Sequence, residues 1–284
     1  ASAYPGTPPS QDVVACINNA TPGNHVTFNA DIGSFTTAGQ GVSIDTGART
    51  VAIASATTAQ GGCSWYPTPL TLNGATLRAY YEYQFANPDT SSDKLGYGIT
   101  LSFYRGDLGA PPNGCGKQQD MGVYDTSNTI LFVETDIHKT PSDNDPNGNH
   151  SAIMAYGNTT HSPTNGNVTT ACNGSAAGCL FSPANTFEEI PTPLWHNQRV
   201  EIHTGYNSSC SASGGTYALV TAWVDCSGSA CANTAVDLAA TPTMRRCFAW
   251  DTALNTFYFG LTGGFTNGGN SQGVTIRNLD LLTQ

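Results

Sequence analysis

Alternation of apolar and polar side chains runs through most of the chain and predicts strands. In residues 75–85 (ATLRAYYEYQF), Leu77, Ala79, Tyr81, Tyr83 and Phe85 share one face while Arg78, Glu82 and Gln84 share the other. A strand buried on one side needs that period of two. Residues 97–104 (YGITLSFY) repeat it, with Ile99, Leu101 and Phe103 inward. Further strands are predicted at 129–137, 199–206, 216–225, 255–264 and 273–282, separated by turn-forming clusters such as NPDTSSDK, GAPPNGCG and TNGGNSQG. No segment longer than about ten residues carries a helical period. Many strands without helices between them predict an all-β antiparallel sandwich rather than βαβ units.

Composition narrows the setting. The 284 residues suit one large sandwich, and 39% hydrophobic residues are enough for a core. Charged residues are only 11%, against 31 Gly and 16 Pro, a balance typical of loop-rich extracellular β-proteins. The net charge is −10 and Arg245-Arg246 is the one adjacent basic pair, which argues against nucleic acid as a partner. No apolar run approaches the roughly 20 residues of a membrane span. The opening ASAYPGTPPSQ has neither a charged nor an apolar leader region, so a signal peptide is expected to have been removed and the protein to be secreted. Residues 1–24 read as a short extension, and 157–186 as a polar insertion in an otherwise single domain.

Nine cysteines without a CxxC pair or zinc spacing favour disulfides in an oxidising compartment. Cys172/Cys179 and Cys226/Cys231 are expected to close local loops. One thiol is left over: either Cys16 is free or bridges to another molecule, giving a route to a homo-oligomer, or it pairs internally and another is free.

The informative segment is FVETDIHKTPSDNDPNGNH, residues 132–150. Glu134 and Asp136 stand two apart on a strand and so share a face. A polar loop with Asp143, Asp145, Asn147 and Asn149 follows and ends at His150. Carboxylates and an imidazole converging from a strand end and its loop suit a divalent cation: oxygens favour calcium, and the imidazole admits manganese or zinc. DNDPNG also opens like an EF-hand loop, but the twelfth position is Met154 rather than Glu. His161, His196 and His203 read as surface or strand residues, and the four tryptophans as packing residues.

The spacing of Glu134, Asp136, His138, Thr140, Asp145-Pro146 and His150 resembles the metal loop of the legume-type (L-type) lectins, of the concanavalin A-like lectin/glucanase superfamily. The order of the central strands, the Trp195 strand entry and the Gly-rich closing strands resemble that family as well. The resemblance implies a jelly roll in which Glu134, Asp136, Asp145 and His150 hold a transition metal such as Mn2+. It also implies that Asp136, the His138 carbonyl, Thr140 and Asp145 hold Ca2+. The implied function is metal-dependent carbohydrate binding, with glycans or glycoproteins as partners and any sugar beside the calcium, near Tyr97, Gln119, Thr140 and Phe265. That site departs from the family pattern: Tyr97 stands where an Asp is expected, Gln118-Gln119 where Gly is expected, and Thr140 replaces Asn. Asp93 or Asp120 would have to compensate.

Two other classes compete. A structural or adhesive glycoprotein on a lectin fold fits the odd cysteine, the insertion and six sequons (Asn19, Asn149, Asn158, Asn167, Asn173, Asn207). A jelly-roll glycoside hydrolase needs a second carboxylate about 5 Å from the first. That class places E-x-D-x-(x)-E on a strand, and in ETDIHKT the last position is His138 or Lys139, so Glu188 or Glu201 would have to serve, and no enzyme activity is expected.

Overall fold

The computed structural model describes residues 23–54, 61–72, 76–86, 96–116, 120–123, 128–141, 145, 147–155, 180–181, 187, 192–204, 217–226, 242–265 and 273–283. Two antiparallel sheets face each other. The first runs β14 (Met244–Ala249), β13 (Tyr217–Val224), β12 (His196–His203), β7 (Thr76–Ala86), β16 (Gly273–Thr283), β4 (Thr50–Ala54), β3 (Val42–Asp45), with β1 (Asn24–Thr27) also paired to β16. The second runs β11 (Leu180–Phe181), β10 (His150–Ala155), β9 (Thr129–Asp136), β8 (Gly96–Arg105), β15 (Thr256–Phe265), β5 (Gly61–Trp65), β2 (Thr36–Gly39), with β6 (Leu70–Thr71) on β15. Among the described residues, α-helix is limited to the single turn Phe28–Asp31.

The alternation predicts the core correctly. Leu77, Ala79, Tyr81, Tyr83 and Phe85 of β7 meet Ile99, Leu101 and Phe103 of β8 in one apolar cluster that also takes in β9, β12, β13, β15 and β16. Strand β12 begins at His196, three residues before the expected start, and the short strands β1 to β6, with β10, β11 and β14, were not anticipated. These carry too few residues or too many small ones for a period to show: β5 reads GGCSW.

The outer faces differ from a simple half-buried sheet. Arg78 and Glu82, expected to face water, are fully buried. On the same face Glu201 accepts from Arg199 Nε at 2.9 Å, lies 3.5 Å from Arg78 Nε and pairs with His203 Nε2 at 3.1 Å. Glu82 accepts from Arg277, whose guanidinium stacks 3.7 Å over Trp195. Burial pushes the Glu82 carboxyl up, and hydrogen bonds from Asn278 and Arg277 oppose that shift.

On the second sheet's outer face Trp65 packs with Tyr104 and Tyr258 beside the disulfide Cys63–Cys115. That bridge closes a separation of 52 residues, an entropic constraint on the unfolded chain of about 4 kcal/mol. Cys226 and Cys247 are also disulfide-bonded. Cys231, the expected partner of Cys226, lies outside the described residues, as do Cys16, Cys172 and Cys179 and nearly all of the extension and insertion.

Candidate metal centre

Strands β9 and β10 form the hairpin that carries the candidate metal loop. Their register sets Asp136 directly opposite His150 and Glu134 opposite Ala152. Because side chains alternate, Glu134, Asp136 and His150 all project from the outer face of the second sheet. Phe132, Ala152 and Met154 share that face and pack with Val123 into an apolar patch beside the site. The loop then returns Asp145 to the same point. Glu134, Asp136, Asp145 and His150 are 1%, 5%, 6% and 0% exposed.

The imidazole orientation is informative. His150 Nδ1 lies 3.0 Å from the Asn147 carbonyl, which can only accept, so Nδ1 carries the proton. In the neutral ring Nε2 then presents a lone pair, and it faces carboxylate oxygens of Glu134 at 3.4 Å, Asp145 at 3.8 Å and Asp136 at 4.0 Å. A lone pair among three buried carboxylates is electrostatically unfavourable, and either a proton on Nε2 or a divalent cation between the groups relieves it. Two atoms each about 2.1 Å from one metal are separated by roughly 3.0 Å when adjacent and roughly 4.2 Å when opposite. All three distances fall in that interval. Ligand atoms of Asp136, Asp145 and His150 lie within 4.8 Å of one another, so the donor set fits a divalent cation.

The rest of the loop is tied to the same carboxylates. The His138 amide donates to Asp136 Oδ1 at 2.7 Å and the Thr140 amide to Asp145 Oδ2 at 2.6 Å. Asn149 Oδ1 accepts from the Phe187 amide at 2.7 Å, fixing the loop to the segment before β12. His138 and Thr140 are thus held beside Asp136 and Asp145, their chain neighbours in the expected calcium set.

Gly98 brings β8 close enough to support Asp136. It pairs with Asp136 at φ +137°, and a Cβ there would lie 2.1 Å from the Thr135 carbonyl oxygen and 2.9 Å from Asp136 Cα. Gly98→Ala is expected to cost about 1–3 kcal/mol in backbone strain, plus the displacement of Asp136. Thermal melts with and without added cation should show lower stability and a smaller cation-induced shift together.

The expected sugar contacts fare unevenly. Tyr97 is partly exposed, its ring 4.4 Å from the His138 ring, and its carbonyl accepts from the Ile137 amide at 3.0 Å. Thr140 is partly exposed nearby. Phe265 is 1% exposed and packed in the core between the sheets, so its ring is not placed to stack on a ligand. Gln119 and Asp93 lie outside the described residues, and Asp120 is partly exposed.

Glu201 is held on the outer face of the opposite sheet, which removes it as an acid/base partner for Glu134; Glu188 lies outside the described residues. Of the histidines, His196 is buried and pairs with Asp225 at 2.9 Å, and His203 serves Glu201. Sequence reading missed Arg246, which lies in the sandwich interior behind this hairpin.

No protein-family model and no curated protein sequence matches the chain. Solved structures do. Lectin UEA-II, complexed with galactose, aligns with a TM-score of 0.57 at 12% identity, covering 92% of this chain and 99% of that one. The Bauhinia forficata lectin, in complex with GalNAc, aligns with a TM-score of 0.55 at 12% identity, covering 91% and 97%. The metal-free form of lectin I-B4 from Griffonia simplicifolia aligns at 0.54 and 14% identity, covering 91% and 98%. With two antiparallel sheets sharing one core, the chain has the jelly-roll fold of the L-type lectins.

Proposed function

We propose that this is a secreted carbohydrate-binding protein whose binding loops are held by divalent cations. The observation that carries the reading is the aim of His150 Nε2 at three buried carboxylates, on the outer face of a lectin-type sheet. In this reading Glu134, Asp136, Asp145 and His150 hold a transition metal such as Mn2+. Asp136, the His138 carbonyl, Thr140 and Asp145 hold Ca2+. Oxygen-rich donors favour calcium and the added imidazole favours the softer ion. The cations fix the loop, and the loop presents the sugar-contacting groups.

Sugars named with the similar structures, galactose and GalNAc, give the class to try first. Tyr97 and Thr140 are the described candidates for contact. Tyr97 offers a ring face to a pyranose, but a threonine hydroxyl replaces the amide that donates in the family, so weak binding per site is expected. The displacement of Glu201 to the opposite sheet favours binding over hydrolysis.

A glycan array run with calcium and manganese, and again with chelator, tests the proposal. Binding lost on chelation and restored by cation is the expected result. Binding that survives Asp136→Ala would place the sugar elsewhere. An intact cation response without any glycan bound would favour an adhesive scaffold.

A further inference from the structure

Behind the candidate metal hairpin, a polar chain crosses the otherwise apolar interior of the sandwich. Tyr81 of β7 donates its hydroxyl hydrogen to Gln198 Oε1 on β12. Gln198 Nε2 donates across the interior to Ser151 Oγ on β10 at 3.1 Å, and Ser151 donates to the Glu134 carbonyl at 2.5 Å. Every member of this chain is neutral.

Arg246 is not. It pairs with Val220 on β13 and so projects inward from β14, where it is fully buried. Its Nη1 crosses to the second sheet and donates to the Ile153 carbonyl at 2.6 Å. Ile153 is next to Ala152, the residue paired with Glu134. Nε and Nη2 find no hydrogen-bond acceptor among the described residues. A carbonyl satisfies one N–H but brings no opposite charge, which a nearby carboxylate supplies. Burial pulls the Arg246 pKa down to about 10, and the negative charge of Glu134 pushes it back up.

We propose that Arg246 is the built-in counter-charge of the cation site, stabilising the Glu134 carboxylate from inside the sandwich when the divalent ion is gone, an inference that rests on the cation-binding reading above. A fixed positive charge behind the ligands has two opposite effects. It steadies the ion-free cluster, and it repels the incoming cation. Arg246 therefore tunes how readily the site empties without collapse.

The test has two arms. In the first, manganese is titrated into the native protein and Arg246→Met. Removing the fixed charge is expected to raise manganese affinity severalfold while lowering the melting temperature in chelator. A purely structural arginine would lower both, and unchanged or weaker affinity overturns the proposal. The second arm keeps Arg246 and so does not depend on that variant folding: Glu134→Gln and Asp136→Asn are melted in chelator. Glu134→Gln should lower the melting temperature, because it strips Arg246 of its counter-charge, whereas Asp136→Asn should raise it by relieving repulsion between carboxylates. The same direction for both overturns the proposal. Native protein that takes up no manganese would sink the cation-binding reading, and the chelator melts would still report on Arg246.

Discussion

Chelation is expected to lower the melting temperature by about 10 °C. A ligand held only by the folded state, present at a hundred to a thousand times its dissociation constant, contributes about 3–4 kcal/mol. Each kcal/mol moves the midpoint of a chain of this size by about 2–4 °C. Three carboxylates converge here at no more than 6% exposure, and their mutual repulsion rises once the cation leaves, offset only in part by the Arg246 charge behind Glu134. Scanning calorimetry in EDTA, followed by back-titration with calcium and with manganese, measures the effect and separates the two ions. An unchanged midpoint in chelator, with neither ion found by metal analysis, would overturn the cation assignment.

The convergence of the candidate ligands on one hairpin was legible because its information is local. Parity along β9 places Glu134 and Asp136 on one face, and one loop returns Asp145 and His150 to it. Where a longer path was needed, the sequence was silent: nothing in the neighbourhood of Arg246 says that β14 lies across the sandwich from β10. Phe265 shows where carry-over from a family fails. Resemblance places it beside the calcium, yet in the structure β15 runs one residue beyond the predicted strand, and Phe265, at even spacing from Phe257, Phe259 and Leu261, joins them inside. Period-two parity has a direct steric cause, whereas loop positions carried over from a resemblance do not.

The same parity argument fails on the other side of β7. It separated Arg78 and Glu82 from the core correctly but could not say whether water or protein lies beyond them. The pattern of a polar outer face is identical in both cases. Only the packing distinguishes them, and it makes these residues a buried ion-pair network whose energetics are those of the interior.

That burial leads to the second large effect: Glu201→Ala is expected to destabilise the protein by about 3–5 kcal/mol. Glu201 is fully buried and shared by Arg199 and Arg78, themselves 1% and 0% exposed, with His203 on its other oxygen. Removing it leaves two guanidiniums in a low-dielectric setting without the carboxylate they share, and an uncompensated buried charge costs far more than a lost surface pair. Glu201→Gln retains an acceptor oxygen but not the charge, and should fall between the native protein and Glu201→Ala. Urea unfolding reads the loss as a lower midpoint at unchanged slope. The cation-induced shift in melting temperature should persist in both variants, because the network lies on the outer face of the sheet opposite the metal hairpin. A loss below about 1 kcal/mol is what an exposed pair gives, and would show that this face meets water in solution.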